Sequence, residues 1–449
     1  MKKESIAKLA ALCGVPLIMV LGNSMLIPVF PEMQRAMDIS KLQVGLTITL
    51  FSLPAGLAIP IMGFLCDKVG RKKIIVPSLL VYGLGGVISG LAPTLFNNSL
   101  AVLLTGRIIQ GIGAAGTAPI AMALVSDIFT SSERSKALGT IEAANGLGKV
   151  VSPILGSIIA LIVWYALFFV YAMLAVPIAV AVWLLIKEPP LATKNQSISK
   201  YFTNIKRIFT EKGESLAGCY LAGSVVLLLL FGVLSYLSDV LEEAHGLKGV
   251  VKGLVLAVPV LVMAATSFIS GRYLQKHQKK MKLFILFGLV VVAVSLAAIS
   301  LLKSNIVFFI GVSLMGLGTG LVLPAVNTLV TSSCKLEERG GITALYGSVR
   351  FFGVAAGPPA FSLLLNYSKT AMFLSGSILA ATAAIVAFIA IKEQQLLSGG
   401  QQKQENRESL SGKQIVKIVN AGSAKKGEAH PLAEFVGAFR TSINKNKLR

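Results

Sequence analysis

The stretch Gly63-Phe-Leu-Cys-Asp67-Lys-Val-Gly70-Arg71-Lys72-Lys73 decides the fold. It joins two apolar runs, roughly 43–65 and 74–94. Each run is long enough to cross a hydrocarbon core, which takes about 20 apolar residues. The link between them is too short to be anything but an ordered turn. Lys68, Arg71, Lys72 and Lys73 make it basic, as loops on the positive side of a membrane are. That tendency does not account for Gly63, Asp67 and Gly70 at this spacing.

Outward from this loop, apolar runs recur along most of the chain. Of its 449 residues 54% are hydrophobic and only 14% charged, against about 25% charged in a soluble protein. Runs of this length, rather than ten-residue alternation, predict membrane helices and exclude a β-barrel. The net charge of +22 would suit a nucleic-acid binder. However, most of the cations fall in alternate loops and at the two ends of the chain, and aromatics do not interleave with them as stacking would need. The basic surface therefore faces anionic lipid. Cys13, Cys66, Cys219 and Cys334 have no metal-ligand spacing and read as reduced thiols. His245, His277 and His430 lie outside the runs, and no phosphate-binding lysine loop is present. Nothing points to a soluble enzyme, a metal or ATP.

Twelve spans are predicted: 7–30, 43–65, 74–94, 100–126, 137–162, 165–186, 216–238, 249–270, 282–301, 305–331, 341–365 and 370–391. An even number places both termini on the positive, cytoplasmic side. The chain divides into a six-helix half (1–186), a cytoplasmic linker (187–215), a second six-helix half (216–392) and a polar tail (393–449). The linker opens with Glu188-Pro189-Pro190 and carries an amphipathic stretch from Tyr201 that predicts a surface helix. The tail reads as disordered, with a short surface helix around 431–442. A shift of 205 residues lays spans 4–5 on spans 10–11 without a gap: Gly106, Gly111, Gly113 and Pro119 fall on Gly311, Gly316, Gly318 and Pro324. Glu133-Arg134 falls on Glu338-Arg339, and Gly148 and Pro153 on Gly353 and Pro358. A weaker echo sets Gly63 on Gly271, with Gln275 in place of Asp67. Such a duplication predicts a pseudo-symmetric bundle.

The 63–73 loop resembles the signature between spans 2 and 3 of the major facilitator superfamily of transporters. The resemblance covers about residues 5–392 and is strongest to the twelve-span drug:proton antiporters. It implies an all-α membrane protein of twelve transmembrane helices in two pseudo-symmetric six-helix halves. Spans 1, 4, 7 and 10 would line a central cavity, and 2, 5, 8 and 11 would form the seam. It also implies a gating role for Gly63, Asp67, Gly70, Arg71 and Asp127, with Asp67 at the amino end of span 11 and Asp127 paired to the loop arginine. Gly106-Arg107-Ile-Ile-Gln110-Gly111 resembles the family's motif B, whose arginine is linked to proton transfer. Gly148-x-x-x-Ser152-Pro153-x-x-Gly156 resembles motif C of antiporters, where small residues and proline bend the helix. Ser152 and Ser157 stand where that pattern has glycine, and Lys149 intrudes. Gly357 and Pro358 repeat the bending pair in span 11. Span 1 lacks the acid that many drug:proton antiporters carry there.

Charges inside spans are expensive, about 2.5–3.5 kcal/mol for a cation at the centre on insertion scales, so each marks a partner or a polar cavity. Arg107 either faces such a cavity or satisfies carbonyls between helices. Lys149 stands roughly 18 Å into its span at 1.5 Å per residue, too deep to snorkel. Glu142, about 7 Å deep by the same rise, is either a proton carrier or an interfacial group reaching water. Arg350 falls on Asn145 in the repeat. If Arg107, Lys149 and Arg350 share one cavity, its field favours an anionic or zwitterionic substrate. Asp239 is a reserve proton site or an ordinary loop acid beside Glu242 and Glu243. Asn23, Gln110, Asn145, Tyr236, Asn327 and Tyr346 are the candidate cavity lining.

The expectation is a monomeric, proton-coupled exporter of amphipathic organic compounds in the cell membrane. It would use no cofactor beyond the proton gradient. Its partners would be the small-molecule substrate, protons and lipid, with no nucleic acid. A transporter or flippase for an anionic metabolite or lipid, and a transporter-like receptor or scaffold using the tail, are the alternatives.

Overall fold

The computed structural model describes residues 3–129, 131–188, 198–302, 304–334 and 339–397. The expected surface helix at 431–442 lies outside them, as does Glu338 of the repeat. The described helices are α1 (Lys3–Ser24), α2 (Phe30–Met37), α3 (Lys41–Val69), α4 (Arg71–Leu95), α5 (Ser99–Ala115), α6 (Ala118–Ile128) and α7 (Ser131–Ala160). They continue with α8 (Ala166–Leu185), α9 (Ile198–Glu243), α10 (Gly249–Lys276), α11 (Met281–Leu302), α12 (Asn305–Ser332), α13 (Arg339–Leu365) and α14 (Lys369–Ala390). They make 12 segments long and apolar enough to cross a membrane, because α1–α2 and α5–α6 each form one span. Large apolar side chains point outward along the bundle, among them Leu57, Ile61, Leu184, Ile269 and Phe388. A fold in water would bury such a belt, and lipid solvates it.

Local chemistry sets the helix ends. Ser40 and Gln43 cap α3 reciprocally, each side chain satisfying an orphan backbone N–H. Gly70, at φ +115°, turns the chain from α3 into α4. Most residues resist that backbone conformation, which explains the glycine. Span 1 breaks between α1 and α2 at Leu26–Val29, where Pro28 opens a single 3-10 turn. Span 4 breaks between Gly116 and Thr117, just before Pro119. The sequence reading had both as unbroken runs. Conversely, the surface helix expected near Tyr201 and span 7 are one helix of 46 residues, α9. No proline interrupts Ile198–Glu243, so nothing ends the helix at the membrane surface.

The duplication is visible in the packing. Within the first half α4 packs on α5 and α8, and α1 on α7. Within the second, α11 packs on α12 and α14, and α9 on α13. The equivalent Gly113 and Gly318 let neighbouring backbones close up. A Cβ on Gly113 would come 2.8 Å from Tyr82 Cα, and one on Gly318 would come 2.5 Å from the Gly288 carbonyl oxygen. Small residues drive this kind of helix contact in membranes. The seam between halves is α3 on α13 and α7 on α10, as the resemblance implied.

The residues expected to bend helices sit in these contacts. A Cβ on Gly148 would meet Leu17 of α1, and one on Gly156 the Met25 carbonyl just after α1. The Pro153 carbonyl faces Gly253 of α10 at 2.8 Å from a Cβ built there. Gly357 fits against Leu228 and Gly232 of α9, and Pro358 lies 3.3 Å from a Cβ built on Gly45 of α3. Both α7 and α13 run unbroken through their prolines. Ser152, in a glycine position, donates to the Gly148 carbonyl at 2.5 Å and so satisfies its hydroxyl inside its own helix.

Candidate functional site

Arg107 lies in the first half, wholly buried at 0% exposure. Its Nε donates to the Thr47 carbonyl at 2.8 Å, one terminal nitrogen to Gln110 Oε1 at 2.6 Å and the other to Asn23 Oδ1 at 2.8 Å. The guanidinium lies 4.4 Å from the Phe51 ring centroid, an attraction of cation for ring quadrupole. Asn23 in turn donates to Ser52 Oγ at 2.9 Å. No carboxylate pairs with Arg107 among the described residues. Carbonyl, amides and ring hold the cation, so Asn23 and Gln110 are committed to this knot.

A second group stands between the halves. Glu142, Asn145 and Lys149 come from α7, and Tyr346 and Arg350 from α13. Lys149 and Arg350 are half-buried, and Glu142 is exposed. Arg350 and Glu142 are the charges that act on Lys149. The Arg350 guanidinium lies 5.4 Å from the Tyr346 centroid, and Tyr346 leans on Tyr220 at 5.6 Å. Asn145 Oδ1, Tyr346 OH and Arg350 Nε are buried without a hydrogen-bond partner. Buried polar atoms are normally paired, so three orphans in one place mark a site built to receive a polar group.

The end where α3 begins and α9 finishes carries a third cluster, here called the far end. Lys41 of the first half pairs with Asp239 at 3.0 Å and Glu243 at 3.1 Å of the second. Arg35 of α2 pairs with Glu242. Lys252 of α10, only 2% exposed, pairs with Glu242 at 2.7 Å and donates to the Pro28 carbonyl at 2.6 Å. Asp239 is 6% exposed, and its Oδ1 has no partner. A cavity of about 20 Å³, lined by Gln34, Lys41, Tyr236 and Asp239 among others, adjoins it. Tyr236 packs edge-on against Phe373 at 5.4 Å. Of the two readings of Asp239, the geometry places it in a cross-half ion pair rather than free in a loop. Asn327 is exposed on α12.

At the opposite, basic end Arg71 pairs with Asp127 at 3.0 Å and has Asp67 at 3.9 Å. Gly63 approaches Ala344 of α13 at 3.6 Å from a built Cβ. Residues 335–338, just before α13, lie outside the described residues. Glu188 caps α4: its carboxylate accepts from Arg71 N at 2.8 Å and Lys73 N at 3.2 Å. A Cβ on Gly70 would come 2.8 Å from the Glu188 carboxyl carbon, so Gly70 also makes room for the cap. Glu393 does the same for α11, accepting from Met281 N at 2.7 Å. Helix amino ends leave N–H groups unpaired and favour negative charge. Glu188→Ala should therefore lower stability by about 1 kcal/mol, seen as a lower thermal midpoint in detergent, and Glu188→Gln should recover part of the loss.

The sequence profile described as the Major Facilitator Superfamily matches residues 12–358. The chain belongs to the major facilitator superfamily. It is a transporter, not an enzyme, and a multi-pass membrane protein. It is 40% identical over 366 residues to the bacillibactin exporter of Bacillus subtilis (strain 168), covering 81% of this chain and 91% of that protein. It is 27% identical over 385 residues to multidrug resistance protein 1 of the same organism, covering 82% and 92%. Among solved structures, a bacterial homologue of the human lysosomal transporter Spinster, inward-facing and occupied, superposes with a TM-score of 0.69. That match has 18% identity and covers 87% of this chain and 97% of the other, a likeness of fold alone.

Within this superfamily chain, several partners escaped the sequence reading. Arg35 and Lys41 fall in a predicted loop and Lys252 near the start of a predicted span, with nothing in the sequence to mark them as partners, yet they hold the far end. The Thr47 contact is a backbone carbonyl and Phe51 is apolar, so neither is announced by a polar side chain. Glu188 and Glu393 left one readable signal: both follow Ile-Lys, and they are 205 residues apart like the rest of the repeat.

Proposed function

We propose that this transporter exports a small organic compound across the cell membrane by alternating access. The substrate would bind between the halves at Asn145, Lys149, Tyr346 and Arg350. The observation that carries the reading is this unpaired polar group, fed by α7 from one half and α13 from the other. A binding site at the seam is exposed to opposite sides when the halves rock. The excess of cations supports a cytoplasmic basic end, with both termini there. The far-end ion pairs then close the outer side, and Gly63, Asp67, Gly70, Arg71 and Asp127 gate the inner one. Proton entry would drive export. Glu142, exposed on α7, and Asp239 are the carboxylates proposed to carry the proton.

The likeness to the bacillibactin exporter favours a siderophore of that kind as cargo. A multidrug range is the second reading, favoured by the likeness to multidrug resistance protein 1. The test is purified protein in vesicles with an imposed pH gradient, offered bacillibactin and, separately, ethidium. Uphill movement of bacillibactin alone supports the first reading, and movement of both supports the second. Movement of neither, in either gradient direction, ends the exporter reading. Glu142→Gln should abolish proton-driven movement and leave binding intact, and unchanged uphill flux would remove Glu142 from the coupling. Deleting residues 396–449 should leave flux unaltered, whereas a receptor or scaffold using the tail would lose its function.

A further inference from the structure

Lys149 of α7 and Arg350 of α13, one from each half, lie close enough for their charges to act on each other. Among the described residues neither makes an ion pair or a hydrogen bond. Glu142, the one acid acting on Lys149, is exposed and turned to solvent. Arg107, another intramembrane cation, is wholly buried and donates from all three guanidinium nitrogens within its own knot. The helices that carry the pair have other packing partners: α7 lies on α1 and α10, and α13 on α3 and α9.

The hydrogen-bonding inventory of the group is one-sided. Lys149 offers ammonium donors, Arg350 a guanidinium with its Nε free, and Tyr346 a hydroxyl. Asn145 Oδ1 is the unpaired acceptor. Two like charges half out of water repel, and each has lost hydration. An anionic oxygen placed between them relieves both penalties and forms charge-assisted hydrogen bonds, the strong kind. A cationic drug would meet repulsion from both.

We propose that Lys149 and Arg350, one from each half, cradle an anionic oxygen group of the substrate, with Tyr346 donating and Asn145 accepting beside it. The cargo class is therefore an organic anion bearing carboxylate, phenolate or phosphate oxygens. This rests on the exporter reading, which it narrows. Because the two cations belong to different halves, the anion also bridges them. Loading the cradle removes the repulsion that separates α7 from α13 and favours the halves closing over the substrate. An anionic lipid headgroup presents the same oxygen chemistry as a soluble anion.

The test is equilibrium binding to the full-length protein in nanodiscs, read by fluorescein anisotropy, in zwitterionic phosphatidylcholine and with phosphatidylglycerol added. Fluorescein should bind, salicylate should displace it and tetraphenylphosphonium should not. Lys149→Ala and Arg350→Ala should each weaken binding about 10-fold or more, while Lys149→Arg and Arg350→Lys keep most of it. Unchanged elution and thermal midpoints would show that the variants fold. Displacement of fluorescein by phosphatidylglycerol assigns the cradle to a headgroup, and its absence assigns the cradle to a soluble anion. Fluorescein binding indifferent to both alanine variants, or no anion binding alongside tight ethidium binding, overturns the proposal. Fluorescein binding untouched by both variants, in a protein that still moves bacillibactin uphill, would sink the cradle and leave the exporter reading standing. Anion binding without flux of any solute would do the reverse.

Discussion

The double variant Asp239→Asn/Glu242→Gln should swing the far end open and nearly stop transport. Lys252 is the reason. It is 2% exposed, and the Glu242 carboxylate, the Pro28 carbonyl and the nearby Asp239 offset its charge. Neutralising both acids leaves a buried cation with neutral acceptors only. Breaking a buried pair from one side costs about 3–5 kcal/mol. Arg35 is 57% exposed and Lys41 34%, so their pairs are screened and add little. Opening the far end lets Lys252 hydrate, so the loss falls on the closed state. A bias of about 3 kcal/mol is a factor of roughly 150 in the closed-to-open ratio. Spin labels at Asp38→Cys and His245→Cys, both exposed positions on opposite sides of the cluster, should report a longer separation in the double variant. The single variant Asp239→Asn, which leaves the Lys252–Glu242 pair in place, should keep a distance nearer to that of the unmodified protein. Label distances that ignore the double variant would remove the cluster from control of the cycle.

The second large effect concerns Arg107, where the expected result is loss of the folded protein rather than loss of coupling. Arg107→Ala strands Asn23 Oδ1 and Gln110 Oε1 in a fully buried pocket and removes the side-chain partner of the Thr47 carbonyl. Each orphaned group costs about 1–3 kcal/mol, and the emptied volume adds a cavity. The sum, about 3–5 kcal/mol for a buried charged hub, is a large fraction of a typical folding free energy of about 5–15 kcal/mol. Yield and thermal midpoint should collapse together. Arg107→Lys should lie between, because one ammonium cannot span three acceptors in the planar fork that a guanidinium provides. A variant Arg107→Ala that melts like the unmodified protein but transports nothing would give the arginine a role in the cycle instead.

The outline of this molecule was legible in the sequence because membrane helices announce themselves by composition. Length, apolarity and the 205-residue offset were enough for twelve spans and two like halves, while the seam came from the family resemblance. The intramembrane positions of Arg107, Lys149 and Arg350 were readable for the same reason: a charge in an oily run stands out. Their partners were not. Arg107 is held partly by the Thr47 backbone carbonyl, and every residue has one. The far-end pairs join positions some 200 residues apart, such as Lys41 to Glu243. Nothing local to Lys41 predicts that. Glu142 was measured from a helix start at 137, whereas α7 begins at Ser131. Its side chain stays exposed all the same. The fusion of the linker helix into α9 was hidden by its polar first turns, which look like a loop to any reading based on hydropathy.

That fusion has a mechanical consequence. At 1.5 Å per residue a helix of 46 residues is roughly 69 Å long, about twice the oily thickness of a membrane. One stiff rod therefore projects from the positive face and ends at Asp239, Glu242 and Glu243 on the other. A tilt imposed on its protruding turns, by whatever grips them there, is delivered as leverage on the acids at its remote tip.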